Sequence, residues 1–424
     1  MRPFVYAIFM SSIVSACSAL RYRDFRWLWA GTFCATGGQW VQQATLGWVA
    51  YELTGSGTLL GAVLGMRAIP MLLLAPVSGI VAERYDRRRA LAASQILVCI
   101  ISLLLALAIA LDALQVWHLF AFTLLAGVGA VFDRTLRSAL VFNVVPRTEV
   151  ANAVALNSIA FSVMRAIGPG AAGLLIAYIG PAWNFGLQAL LYLGVAAIGL
   201  MLRATHEPQS ARPRGSAWSE LAEGARFVVR HPIARMMLVL GLVPPLLLVP
   251  SFSALMPVFA VNVFHSGPEG LGLLLSAVGV GGVVGGVLAA WLTQYDRVGY
   301  VQTGAILLFA VALAGFAYSP TIQVAVCFLA LAGLAEMVHA TLHVTTLQMC
   351  ATPEMRGRIA SLLPLFPAFI SIGSLSSGAG ADALGPALTV LLTAIGAAAI
   401  ASGAWLRSRA LREVTLSGLI ARSS

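Results

Sequence analysis

The sequence predicts an all-α polytopic membrane protein, and three observations carry that prediction. Of 424 residues, 59% are apolar types and only 10% are charged. A water-soluble domain is about one-quarter charged, and aqueous loops cannot solubilise this much apolar surface. The mean hydropathy is +0.90. Long apolar runs also recur along the whole chain, most of them near the roughly 20 residues that cross a bilayer as a helix. They are continuous rather than alternating, which excludes a membrane barrel. No polar stretch is long enough to form a separate soluble domain.

In chain order the runs fall at about 27–50, 58–82, 91–111, 117–141, 152–179 and 183–202. A second set falls at about 233–261, 270–293, 299–318, 321–348, 358–381 and 386–406. The expected organisation is an N-terminal half over 21–202, a linker over 203–232, a C-terminal half over 233–406 and a tail over 407–424. The linker opens with a Pro/Ser/Arg stretch. It continues with Trp218, Leu221, Ala225 and Val228 at helical spacing, which predicts an amphipathic helix on the membrane surface. Residues 1–20 are apolar but short for a span, and are read as an ancillary extension.

Charge orients the bundle. The net charge is +10, and all 26 basic residues are Arg. Alternate loops carry Arg23 and Arg26, then Arg84, Arg87, Arg88 and Arg89, then Arg147, Arg203, Arg297 and Arg356. The linker adds Arg212, Arg214, Arg226 and Arg230, and the tail adds Arg407, Arg409 and Arg412. The intervening loops carry none. Excess Arg marks the cytoplasmic side, so the basic cluster after residue 20 and the C-terminal tail are expected in the cytoplasm of a bacterial inner-membrane protein. Cys17, Cys34, Cys99, Cys327 and Cys350 show no metal-type spacing and no disulfide framework.

The halves repeat. At one common offset Gly286 stands for Gly79, Ala289 for Ala82 and Pro353 for Pro146. Duplicated halves suit an alternating-access carrier with its site between them.

Three motifs then carry a resemblance. After the second run, Gly79, Glu83, Arg84, Asp86, Arg87 and Arg88 stand in a Gly-x-x-x-Asp-Arg-x-Gly-Arg-Arg pattern, with Glu83 for Asp and Asp86 for Gly. In the fifth run, Gly168, Pro169 and Gly173 match a Gly-Pro-x-x-Gly-Gly pattern, with Ala172 for one glycine. Residues 131–146 end the fourth run with Phe-Asp-x-x-x-Arg-x-Ala. The chain resembles the major facilitator superfamily, and within it the proton-antiporter efflux branch that includes enterobactin and macrolide exporters. The resemblance spans about Arg21 to Arg407. It implies twelve helices in two six-helix halves, monomeric action, small-molecule cargo, protons as partners and no cofactor beyond the proton gradient. The first motif is implied to latch the cytoplasmic side. The second is implied to be antiporter-type; its small residues also suit a close-packed, kinked helix. The superfamily's mid-membrane Arg of the fourth span is missing here.

Intramembrane charges cost roughly 2.5 kcal/mol or more at the bilayer centre, so each requires a partner or a wet cavity. The candidates are Arg67, Asp133, Arg165 and Glu336. They lie in spans two, four, five and ten, which the resemblance places inward. Glu336, His339 and His343 share one helical stripe. Such a stripe suits a proton relay first, and otherwise packing through cross-helix bonds. Two imidazoles beside an acid also suit a transition metal, though no metal is assigned. Asp133 stands four residues before Arg137, the favourable order for a local ion pair, with a proton carrier as the alternative role. Arg67 and Arg165 suit structural counter-charges or a cavity for anionic or catechol-type cargo. Gln39 and Gln43 share a face of span one with Trp40 nearby, for cargo binding or interhelical bonding. Pro244, Pro245, Pro250 and Pro257 require a broken or bent span seven.

With no Lys, a Walker-type ATP loop is impossible. Catalytic clusters are missing from the short loops, so the chain reads as no enzyme. The leading expectation is proton-driven export of a small amphipathic molecule of the drug or siderophore class. Solute uptake and lipid or lysolipid flipping are the alternatives on the same fold, because fold does not settle direction.

Overall fold

The structure, a computed structural model, describes residues 18–203, 232–292, 295–350 and 366–415, together with Arg226. The amphipathic segment around Trp218, nearly all of the 1–20 extension, and Pro353 and Arg356 lie outside the described residues. Those described form helices and connecting turns, with no strand among them.

The N-terminal half runs α1 (Arg23–Thr54), α2 (Gly57–Arg84), α3 (Arg87–Ala110), α4 (Val116–Val144), α5 (Val150–Ile179) and α6 (Pro181–Met201). The C-terminal half runs α7 (Ile233–Val263), α8 (Pro268–Leu292), α9 (Val298–Ala317), α10 (Ile322–Met349), α11 (Phe366–Leu384) and α12 (Pro386–Arg407). A short α13 (Arg409–Glu413) follows. Ten of these helices are long and apolar enough to cross a membrane. The remaining long ones, α1 and α11, are more polar: α1 carries Gln39, Gln42 and Gln43, and α11 carries Ser371, Ser374, Ser376 and Ser377.

Local chemistry sets the helix ends. Gly55 adopts φ 60° and stops α1 by returning its N–H to the Tyr51 carbonyl. Gly180 and Gly385 share a different positive-φ conformation, φ 89° and 84°, each immediately before a proline that starts the next helix. That shared Gly-Pro turn before α6 and α12 is a further trace of the internal repeat. In α7 the prolines act as their missing N–H groups dictate. The helix widens to π-turns at Pro244–Leu248 and Phe259–Val263. A second interruption, at Met66 and Arg67, divides α2 into Gly57–Gly65 and Ala68–Arg84.

Within the halves, α3 packs on α6 and α4, α1 on α5 and α6, α8 on α10, and α9 on α10 and α12. The halves meet along two seams, α5 against α8 and α2 against α11. The starts of α1 and α3 and the ends of α2, α4 and α6 gather at one basic end. There Arg87 donates to Asn143 Oδ1 at 2.6 Å, Arg88 donates to the Leu202 carbonyl at 2.6 Å, and the Arg203 N–H reaches Asp24. At the far end, Asn262 of α7 donates to the Tyr51 hydroxyl of α1 at 2.6 Å.

Candidate functional site

The charged residues picked out in the sequence do not form one cluster. They form two ion pairs and one separate cation. Arg165 of α5 donates to Glu336 Oε2 of α10, an ion pair that bridges the two halves. Both side chains are largely buried, with 10% and 18% of their surface exposed. Trp40 of α1 lies beside the guanidinium, its ring centroid 5.8 Å from Cζ. A ring face so placed attracts the cation and helps to offset its desolvation. A proton candidate and a cargo candidate of the sequence are thus partners.

Backbone proximity puts them in reach. A Cβ on Gly279 of α8 would lie 2.3 Å from the Arg165 carbonyl oxygen, so only glycine lets α8 approach α5 this closely. One seam further along, a Cβ on Gly173 would lie 2.4 Å from the Pro268 carbonyl. Gly272 faces the carbonyl of Pro169 in the same way. On α5's other side, Gly168 abuts the Cβ of Trp40. The Gly168, Pro169 and Gly173 motif therefore occupies the contact of α5 with α8 and α1.

His339 and His343 turn away from that pair. Their rings stack on each other at 5.6 Å, His343 lies against Gly241 of α7, and Phe366 of α11 meets it edge-on. Both are buried, and neither has a hydrogen-bond partner among the described residues. Beside them Gln302 donates to Thr346 at 2.9 Å. The sequence stripe is real as helix geometry, yet its carboxylate serves a cross-half contact while its imidazoles sit inside the C-terminal half.

Asp133 pairs with Arg137 at 2.5 Å along α4. Asp133→Asn is expected to leave Arg137 buried without its counter-charge and to lower stability by about 3 kcal/mol. The apparent melting temperature of the detergent-solubilised protein measures this. Arg67 sits at the α2 interruption, its stem near Gly127 of α4, and makes no hydrogen bond or ion pair among the described residues. Gln39 and Gln43 are half-buried and likewise make no hydrogen bond there. The amide that ties α1 to α6 is Gln42, which accepts from Gln188 at 2.8 Å.

The motif after α2 is knitted within its own half. Asp86 caps α3 by accepting from the Arg88 N–H at 3.0 Å and pairs with the Arg88 side chain. That guanidinium, at the helix's positive end, holds the Asp86 carboxyl below the ordinary carboxylate range. Arg87 ties the Ala82 carbonyl to α4. Glu83 and Arg84 are exposed at the end of α2, and a Cβ on Gly79 would meet open space.

Among the described residues, twelve long helices in two repeated halves, joined by a buried ion pair and two glycine-lined seams, form the frame of a carrier. The model of the transmembrane secretion effector family matches residues 14–423. The chain belongs to that family of the major facilitator superfamily. Among its relatives, the staphyloferrin A transporter of Staphylococcus aureus is 24% identical, covering 85% of this chain and 90% of that protein. The multidrug efflux pump Tap of Mycobacterium tuberculosis is 27% identical, covering 91% and 93%. The enterobactin exporter EntS of Citrobacter koseri is 26% identical, covering 74% and 71%. In fold, the chain is similar to a point mutant of the nucleoside transporter NupG, with a TM-score of 0.76, 16% identity and coverage of 91% and 99%. It is also similar to an inward-facing bacterial homologue of the lysosomal transporter Spinster, with a TM-score of 0.72, 16% identity and coverage of 91% and 97%. The protein is a multi-pass membrane transporter and not an enzyme.

The sequence reading missed the partners that lie on other helices. It gave Arg165 and Glu336 separate roles, because a contact between spans five and ten has no local signal. It also passed over Gly57, Gly61 and Gly65, whose four-residue spacing is a legible close-packing signal.

Proposed function

We propose that this transporter exports a small amphipathic molecule of the drug or siderophore class by proton antiport, working as a monomer through alternating access. The observation that carries the reading is the Arg165–Glu336 pair across the seam. A carboxylate between moving halves is the group on which a proton changes the energetics of separation. Ionised, Glu336 holds Arg165 and the halves stay joined there. Protonated, it loses the charge that neutralises Arg165, and the seam parts more readily. The basic end faces the cytoplasm by the distribution of Arg. Arg67, without an ion-pair partner among the described residues, is the group for an anionic or catechol-type part of the cargo. Gln39 and Gln43 are available to its polar edges. The motif from Gly79 to Arg88 serves as the cytoplasmic latch.

The test is retention of a compound panel in an efflux-deficient bacterium expressing the protein, with and without a protonophore. The panel holds macrolides, dyes, tetracyclines, catecholate and carboxylate siderophores, and lysolipids. Lower retention of at least one compound, reversed by the protonophore, is the expected result. Higher retention of a compound would replace export by uptake, and altered lysolipid distribution alone would replace it by lipid transport.

A further inference from the structure

The strongest link between the halves outside the ion pair lies at the end opposite the basic one. Asp382 stands near the end of α11 and is exposed. Its carboxylate accepts from the Ser56 hydroxyl at 2.7 Å, the Gly57 N–H at 2.7 Å and the Thr58 N–H at 2.9 Å. Those groups form the N-terminus of α2, where the first backbone N–H groups have no partner within the helix and the dipole is positive. A carboxylate from one half thus caps a helix of the other.

Below this cap the helices touch along a glycine face. Gly57, Gly61 and Gly65 recur at four-residue spacing. A Cβ on Gly61 would lie 2.3 Å from the Ser374 carbonyl, and one on Gly65 would lie 3.1 Å from that of Ser371. In return, a Cβ on Gly378 would lie 2.1 Å from the Gly57 carbonyl. The register of the seam brings Asp382 onto the first turn of α2. The Asn262–Tyr51 bond closes the same end between α7 and α1.

Two features suit this contact to repeated opening. All three bonds end on one side chain, so a single movement releases them together. Release also strands no buried charge. Ser56 caps α2 from within its own half, accepting from the Leu59 N–H at 3.3 Å, and the exposed carboxylate returns to water. A buried ion pair lacks the second property, because breaking it strands a charge in low dielectric.

We propose that Asp382 is the clasp of the outer gate: its carboxylate holds the C-terminal half on the N-terminus of α2 while the carrier is closed to the outside, and its release is a required step of outward opening. The proposal rests on the alternating-access reading above, and on no assignment of cargo or proton carrier.

The test measures opening directly. Spin labels at Ala113→Cys and Tyr318→Cys report the outer end across the two halves. Labels at Phe142→Cys and Tyr295→Cys report the basic end. Both pairs are placed in a protein whose native cysteines are replaced, in nanodiscs, and distances are read by pulsed electron resonance. Asp382→Asn removes the charge and turns one of the two accepting oxygens into an NH2 donor, and is expected to raise the open-to-closed ratio at the outer pair about tenfold while the basic-end pair shortens. Thr58→Pro removes one amide donor without touching Asp382, at a helical first turn that tolerates proline, and is expected to move the ratio the same way by about two- to threefold. Gly61→Leu wedges the seam and serves as the opened reference. An outer-pair distribution unchanged in Asp382→Asn and Thr58→Pro, with Gly61→Leu opened, overturns the clasp. A single outer distance in every variant, Glu336→Gln included, overturns alternating access and the clasp with it. If Asp382→Asn does not elute as a monodisperse protein, the Thr58→Pro ratio decides.

Discussion

Glu336→Gln is expected to reduce protonophore-sensitive export at least tenfold while the protein still inserts and elutes as the parent does. Gln keeps the size and hydrogen-bonding reach of the side chain but holds no exchangeable charge. The Arg165 contact therefore persists in shape and loses its electrostatic switch. An intramembrane charge without its counter-charge costs roughly 2.5 kcal/mol or more, part of which Trp40 offsets by about 0.5–2 kcal/mol. The net is enough to shift the seam's opening equilibrium by about tenfold, since 1.4 kcal/mol is a factor of ten. The double variant Arg165→Gln with Glu336→Gln restores neutrality. It is expected to regain the parent's thermal stability and not its proton-driven export. Those two readouts separate coupling from simple structural support. Export by Glu336→Gln at the parent's rate, still abolished by a protonophore, removes Glu336 as the proton carrier.

The architecture was legible in the sequence because a membrane span announces itself by length and composition. The apolar runs coincide with α2 to α10 and α12 to within a few residues at most ends. The prolines of span seven gave notice of an irregular helix, and the structure meets them with π-turns. Pairings within one helix were also legible: Asp133 and Arg137 are four residues apart, and the structure joins them. Pairings between helices were not. Spans that are apolar all round give no rotational signal, so nothing in the sequence turned Glu336 toward Arg165 and His343 toward Gly241. The Asp382 contact was hidden for a different reason. In the sequence Asp382 falls just past the eleventh apolar run, where it reads as part of a short solvated loop, and two of its three donors are backbone amides, which no side-chain pattern reveals. The glycines that enable both seams were visible, and the two faces they meet required the fold.

Gly173→Leu is expected to reduce export about fivefold or more while leaving each half folded. The Cβ alone would lie 2.4 Å from the Pro268 carbonyl oxygen and 2.9 Å from Gly272 Cα, both backbone atoms that no rotamer change can move aside. A leucine there must push α8 away from α5. Overpacking of this kind costs about 1–3 kcal/mol, and here most of it falls on the state in which the seam is shut. The closed state is thereby disfavoured about fivefold to a hundredfold, and a carrier that cannot close one end cannot complete a cycle. The cores within the halves, such as Phe122 against Phe185 and Phe259 against Phe316, do not involve this seam. Their packing is expected to survive, seen as an unchanged elution profile. Gly304→Leu is the control, since a Cβ there meets no atom within 4 Å and α9 lies away from both seams. It is expected to export as the parent does. The accumulation assay with the cargo identified by the panel checks both variants. Parent-level export by Gly173→Leu would mean that α5 and α8 need not touch here during the cycle, and would reduce the glycine motif of α5 to a packing feature.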